Sequence, residues 1–121
     1  MSKTQEHLVL GIDVGGSGIK GAIVDVKKGT LVSERLRVKT PDPADPKAVA
    51  RVVARIVRHF RWNGPVGCGM PGPIKNGRVR ALANLDASWL EVNAPAVYTK
   101  ACGCPVTVVN DADAAGLAEM R

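Results

Sequence analysis

The first apolar run of the chain is Leu8-Val9-Leu10-Gly11-Ile12-Asp13-Val14, and it is closed by Gly15-Gly16-Ser17-Gly18. A short apolar run ended by glycines reads as a buried strand and a tight turn. Ile19 to Val26 reads as a second strand, and Lys28-Gly29 as the next turn. Leu31 to Val38 alternates apolar and polar side chains, which predicts a third strand with one wet face. Three strands joined by tight turns predict an antiparallel meander.

The pattern then changes period. Thr40 to Pro46 holds three prolines and reads as a connection. Asp45 is placed to cap a helix with Pro46 at its first position. That helix is predicted to run to about Trp62, before Asn63-Gly64-Pro65 stops it. Val49, Val52, Val53, Ile56, Val57 and Phe60 form one stripe, and Lys47, Arg51, Arg55 and Arg58 form the opposite one. Val66 to Met70 reads as a short central strand, followed by Pro71-Gly72-Pro73. Ile74 to Leu85 reads as a hairpin around Lys75-Asn76-Gly77. Asn93 is expected to cap a helix through Cys102, Pro105 to Val109 to form a strand, and Asp111 onward to form an alanine-rich helix still running at Arg121. A meander followed by βα units predicts the α/β class, with a mixed sheet flanked by helices. This is the pattern of the ribonuclease H-like, actin-like ATPase lobe.

Composition narrows the picture. The 121 residues suffice for one domain, and 45% hydrophobic with 23% charged residues fits a folded chain. Aromatics are only 3%, so the core must rest on Val, Ile, Leu and Ala, as parallel α/β sheets do. No apolar run approaches the roughly 18 residues of a membrane span, and the polar start resembles no secretory signal. Three cysteines give no disulfide framework, so a cytoplasmic setting and no membrane partner are expected. Cys102-Gly103-Cys104 is half of a metal motif without its other half, and His7 and His59 are isolated, so no zinc site is expected.

Lys and Arg exceed Asp and Glu by 17 to 11, a net charge of +6. No acidic residue lies between Asp45 and Asp86, where Lys47, Arg51, Arg55, Arg58, Arg61, Lys75, Arg78 and Arg80 are all basic. Such a field favours an anionic partner, although a solvated helix face has the same pattern. The low aromatic content argues against stacking on single strands, so no specific nucleic acid is expected.

Three features could carry chemistry. The first is Asp13-Val14-Gly15-Gly16-Ser17-Gly18-Ile19-Lys20. Glycines allow a tight turn whose N–H groups point at one anion, Ser17 adds a hydroxyl and Lys20 a positive charge. Asp13 is placed to hold Mg²⁺ through water. A plain hairpin turn is the other use of such a segment. It is not a Walker loop, because Gly-Lys-Ser/Thr is absent, and not a dinucleotide fingerprint, because a strand follows it. The second feature is Asn110-Asp111, where a carboxylate leaves a strand and opens a helix. The helix dipole favours its ionised form, which can accept a proton from a substrate hydroxyl. Simple capping uses the same residue types. The third is Asn84-Leu85-Asp86-Ala87-Ser88-Trp89, which suits a polyhydroxyl ligand, although taken alone a loop whose Trp plugs the core is the stronger reading. The strand ends that carry these features are expected at one sheet edge, where open α/β sheets bind ligands.

Together these residues resemble the ROK family of repressors, open reading frames and kinases. The matching segments are Leu10 to Ala22, Thr40-Pro41, Gly64-Pro65-Val66-Gly67, Met70-Pro71-Gly72, Ala83-Asn84-Leu85-Asp86 with Ser88-Trp89, Pro105-Val106, and Asn110 to Gly116 with Ala118-Glu119-Met120-Arg121. The strings at Asn84 and Asn110 are similar to the branch that phosphorylates glucose from polyphosphate. The resemblance implies that Asp111 is the base for the 6-hydroxyl of glucose. It implies that Asn110 and Asn84 contact the sugar and that the Gly72 backbone lines its pocket. Gly15, Gly16, Ser17 and Gly18, with Asp13 and Lys20, would meet the donor, polyphosphate or ATP, and magnesium. The complete protein would be a cytoplasmic homodimer. Residues 1–121 would be its amino-terminal lobe, inactive alone because the second lobe is absent. The chain departs from the family at Ala81-Leu82, where Thr-Ala is frequent, and at Glu91, where Gly is frequent.

Two other functions fit part of the pattern. One is a non-catalytic sugar- or polyanion-binding module. The other is a sugar-responsive regulator of the same family, although seven residues before the first strand leave no room for a DNA-binding helix-turn-helix.

Overall fold

The computed structural model describes residues 7–70, 74–75, 78–79 and 87–110. The first apolar run forms β1 (Leu8–Val14), which pairs antiparallel with β2 (Gly18–Asp25) from Leu8↔Asp25 to Val14↔Ile19. The third strand differs from expectation. It is two strands, β3 (Thr30–Leu31) and β4 (Leu36–Lys39), both antiparallel to β2. The register explains the break. Val24 faces Leu31 and Gly21 faces Leu36, so residues 32–35 oppose only Ala22 and Ile23. The excess chain bulges away, and Ser33 Oγ accepts from the Ile23 N–H at 2.8 Å, the bond a ladder carbonyl would otherwise supply.

Helix α1 (Pro46–His59) starts as expected: Asp45 caps it by accepting from Ala48 N–H at 2.8 Å. It ends at His59, three residues before the expected Trp62. There the Arg61 N–H bonds Arg58 O and the Trp62 N–H bonds Val57 O, both at 3.0 Å. These two bonds are a Schellman stop, with Arg61 (φ 50°) in the left-handed position that usually carries glycine. Helix α1 delivers the chain to β5 (Val66–Met70), parallel to β1. The short strands β6 (Ile74–Lys75) and β7 (Arg78–Val79) pair antiparallel, as the expected hairpin requires. A 3₁₀ turn over Ala87–Trp89 precedes α2 (Ala94–Cys102), which Asn93 caps by accepting from Ala96 N–H at 3.2 Å. The last described strand is β8 (Val106–Asn110), parallel to β5. The alanine-rich helix expected from Asp111 lies outside the described residues.

The main sheet has the order β3-β2-β1-β5-β8, with β4 also on β2. It is the expected mixed sheet. Leu10, Ile12, Val14, Ile19, Val66, Cys68 and Met70 are buried and share one face by register. Helix α1 lies on that face: a Cβ on Gly21 would stand 2.5 Å from Ile56 Cγ2, so the helix sits where glycine makes room. Val49, Val53, Ile56 and Val57 are buried, while Val52 and Phe60 at the stripe's margin are partly so. Trp89 and Tyr98 complete the core, and the Tyr98 hydroxyl donates to Met70 Sδ at 3.4 Å. Burial first, and the Cys68 thiol second, hold the Tyr98 phenol well above its usual 10.0. No helix among the described residues is long and apolar enough to cross a membrane.

Candidate functional site

Because β1, β5 and β8 run parallel, their carboxyl ends fall at one edge of the sheet. The pairs Asp13↔Gly69, Gly69↔Val109 and Met70↔Asn110 put those ends side by side. In the sequence, Asp111 follows β8 directly and Gly72 follows β5 by two. Gly72, Asn84, Asp111 and the Asn110 side chain lie outside the described residues. Of the expected site residues, the structure therefore describes Asp13, Gly15, Gly16, Ser17, Gly18 and Lys20.

These six sit on and around the β1–β2 turn. The Gly15 N–H donates to Gly18 O at 3.0 Å, which closes the turn over Gly16 and Ser17. Closure this tight needs glycine, because a Cβ on Gly15 would stand 2.9 Å from Gly18 O. The turn is also tied to β4 and its exit. Thr40 Oγ1 donates to Gly15 O at 2.6 Å, and Arg37 Nη2 donates to Ser17 O at 3.1 Å. The Thr40 N–H reaches Ser17 O at 3.4 Å. Three turn carbonyls, of Gly15, Ser17 and Gly18, thus have protein donors. An anion site needs its carbonyls engaged elsewhere, since a free carbonyl dipole repels the anion.

Charge gathers beside the turn on the sheet face opposite α1. Asp13 faces Lys20 across the β1–β2 ladder, and Lys20 faces Arg37 across β2–β4. All three are exposed, as is Lys39, which faces Gly18. The Arg37 guanidinium lies over Gly18: a Cβ there would meet its Nε at 2.6 Å. Arg37 and Thr40 are participants that the sequence reading missed. The signal available was the alternation Arg35, Arg37, Lys39 on the wet face of a strand next to a glycine turn.

Thr40 is the one buried polar residue among those described, 7% exposed, and its hydroxyl holds the turn. Thr40→Val keeps the shape and removes the donor. We expect it to cost about 1–2 kcal/mol, from a buried carbonyl left without its hydrogen bond. Urea unfolding of the chain reads this directly, and unchanged stability would show that the bond does not pin the turn.

The donor set around the turn fits magnesium in one manner only. Among the described residues no group of three His, Cys, Asp or Glu stands together as a metal cage. An exposed carboxylate such as Asp13, beside an anion loop, fits an ion that keeps most of its water and takes phosphate oxygens as its other ligands. None of the three cysteines is in a disulfide, and burial pushes the Cys102 thiol up, away from the thiolate form that metals take.

Of the two uses open to Trp89, the structure shows the core plug that the sequence favours when the segment is taken alone. Trp89 is fully buried, its Nε1–H donates to Ala44 O at 2.9 Å, and its ring lies 5.7 Å from that of Tyr98. It fills the core, the second of the two uses open to it. Glu91, two residues later, has φ 64°, a left-handed conformation that glycine adopts more readily than a residue with a Cβ.

Comparison with known proteins bears on this arrangement. A polyphosphate glucokinase of Mycobacterium tuberculosis is 51% identical over 119 residues, which are 98% of this chain and 44% of that protein. The crystal structure of an inorganic polyphosphate/ATP-glucomannokinase from Arthrobacter sp. strain KM superposes with a TM-score of 0.87 at 50% identity, over 93% of this chain and 47% of that one. A ROK family glucokinase from Streptomyces griseus, in complex with glucose and AMPPNP, gives 0.76 at 28% identity, over 90% of this chain and 35% of that one. The chain thus spans less than half the length of these relatives. Both of these structures are of sugar kinases with the actin-like ATPase fold. The ROK family description matches residues 9–121, and the chain belongs to the ROK family.

Proposed function

We propose that this chain is the amino-terminal lobe of a glucokinase that moves a terminal phosphoryl group from polyphosphate, ATP or both to the 6-hydroxyl of glucose. One observation carries the reading: a glycine turn with engaged carbonyls and flanking cations stands at the sheet edge where β5 and β8 also end. A relative that is 51% identical over 119 residues is named a polyphosphate glucokinase, which supports this reading.

In this reading the turn residues Gly15 to Gly18 and Lys20 hold the donor phosphates. Asp13 orients magnesium through water, and the ion supplies charge neutralisation at the phosphates when bound. Asp111 accepts the proton of the glucose 6-hydroxyl as that oxygen attacks phosphorus. Asn110 and Asn84 bond sugar hydroxyls, and the Gly72 backbone lines the pocket. A second lobe closes over both substrates and excludes water, so residues 1–121 alone are inactive. The complete protein works as a cytoplasmic homodimer.

The test is the identity of the product. A protein carrying this segment and a second lobe, given glucose, magnesium and polyphosphate, is expected to yield glucose 6-phosphate by phosphorus NMR. Phosphate on another hydroxyl would overturn the assigned acceptor geometry, and release of free phosphate alone would reduce the protein to a phosphatase.

A further inference from the structure

The proposed donor site uses cations on the sheet face opposite α1, yet the densest basic stripe is on α1 itself. At about 100° per residue, Lys47, Arg51, Arg55 and Arg58 fall within an arc of about 80°, and they span about 16 Å of helix axis. All four are exposed. The buried side chains of α1, Val49, Val53, Ile56 and Val57, lie on the rest of its circumference. The first turn of the helix contains no acidic residue, and the sequence offers none between Asp45 and Asp86. A stripe of four like charges is self-repelling, and an isolated domain gains nothing from it.

The stripe has a direction. Strand β4 ends at Lys39 beside Gly18, and Thr40 is bonded to the glycine turn. Five residues later Asp45 caps α1, and the helix returns the chain to Val66, opposite Leu10 at the other end of the ladder. The stripe therefore begins at the glycine-turn edge and runs away from it. Of the two carboxylates at its entrance, Asp42 is exposed and Asp45 is engaged in the cap through Oδ1.

We infer that the outer face of α1 is a docking track for the body of a long inorganic polyphosphate whose terminal phosphates occupy the glycine turn. This deepens, and rests on, the reading of the donor as polyphosphate. The chemistry selects this occupant over a nucleic acid. Polyphosphate carries charge on every unit and has no bases to stack, and the stripe offers cations in series with no ring among them. The rings at its far end, His59 and Phe60, are packed edge-to-face on each other at 4.8 Å. ATP has too few phosphates to reach from the turn along the helix, so the track distinguishes long donors from short ones.

The test is binding to the 121-residue chain and to its Arg51→Gln/Arg55→Gln/Arg58→Gln variant, which keeps helix-forming side chains at exposed positions. Circular dichroism and a thermal melt confirm that the variant is folded. The probes are long-chain polyphosphate, tripolyphosphate and a single-stranded DNA oligonucleotide of matched charge. For long polyphosphate the variant is expected to lose on the order of 10²-fold in affinity, about fivefold per cation. Its log–log salt dependence should flatten by about 2. Tripolyphosphate affinity should stay unchanged.

Equal loss for tripolyphosphate, or none for long polyphosphate, would overturn the track. DNA binding as tight as polyphosphate with the same loss would overturn the choice of occupant. The outcome is separable from that of the kinase reading. Arginine-dependent polyphosphate binding without any glucose phosphorylation would sink the kinase and keep the track. Polyphosphate-driven turnover indifferent to the three arginines would do the reverse.

Discussion

Asp111→Ala, in a protein that carries this lobe and a second one, lowers turnover by at least ~10²-fold, the lower end of what a general base contributes. The reasoning starts from topology. Strand β8 is parallel to β5 and β1 and ends at Asn110, level with Met70 and one step beyond the row of Asp13. The next residue in the sequence is the carboxylate Asp111. A sugar hydroxyl is a poor nucleophile until its proton has somewhere to go, and an ionised carboxylate is that acceptor. Asp111→Asn should lose as much as Asp111→Ala, because an amide of the same shape cannot take the proton. The Michaelis constant for the phosphate donor should hardly move in either variant. Steady-state kinetics separates these quantities. Near-parental turnover in either variant would remove Asp111 from the chemistry.

The second large effect is on stability. Trp89→Ala is expected to cost about 3–5 kcal/mol, the range for emptying a large aromatic site in a core. The ring is fully buried against Tyr98, and its N–H satisfies Ala44 O just before the α1 cap. The substitution opens a cavity and orphans a carbonyl at once. Against a total stability of roughly 5–15 kcal/mol, that is a large share of the fold. Trp89→Phe refills most of the volume and leaves only the carbonyl unpaired, so a loss of about 1–3 kcal/mol is expected. Urea unfolding followed by far-ultraviolet circular dichroism ranks the two. Equal losses would mean that the hydrogen bond to Ala44, rather than the packing, holds the turn over Ala87–Trp89.

The elements most legible in the sequence were those where independent signals agreed. Helix α1 announced itself by a capping Asp45, Pro46 and two opposed stripes, and the glycine turn by its place between two apolar runs. What escaped depended on tertiary detail. The end of α1 was misplaced because Arg61 takes a left-handed conformation that its residue type does not advertise. The third strand was read as continuous because alternation survives a bulge, and nothing local shows that Ser33 would substitute for a ladder carbonyl. Arg37 and Thr40 were missed as turn residues because they reach it from about 20 positions away, over a strand pairing that has to be known first. Trp89 was legible as a core plug from its own segment, and its full burial agrees. The sugar contacts proposed at Asn84, Asn110 and Gly72 come from the resemblance of the sequence to the family, since Asn84, Gly72 and the Asn110 side chain lie outside the described residues.

The central claim is that this lobe serves transfer of phosphate to glucose from a donor that includes polyphosphate. The most direct measurement is the initial rate of glucose phosphorylation, with magnesium, by the protein carrying this segment and a second lobe, comparing polyphosphate and ATP at matched terminal phosphate. The account predicts turnover with polyphosphate, with or without turnover on ATP. Turnover with ATP alone would contradict the proposed donor, and a folded protein that phosphorylates glucose from neither would contradict the kinase reading itself.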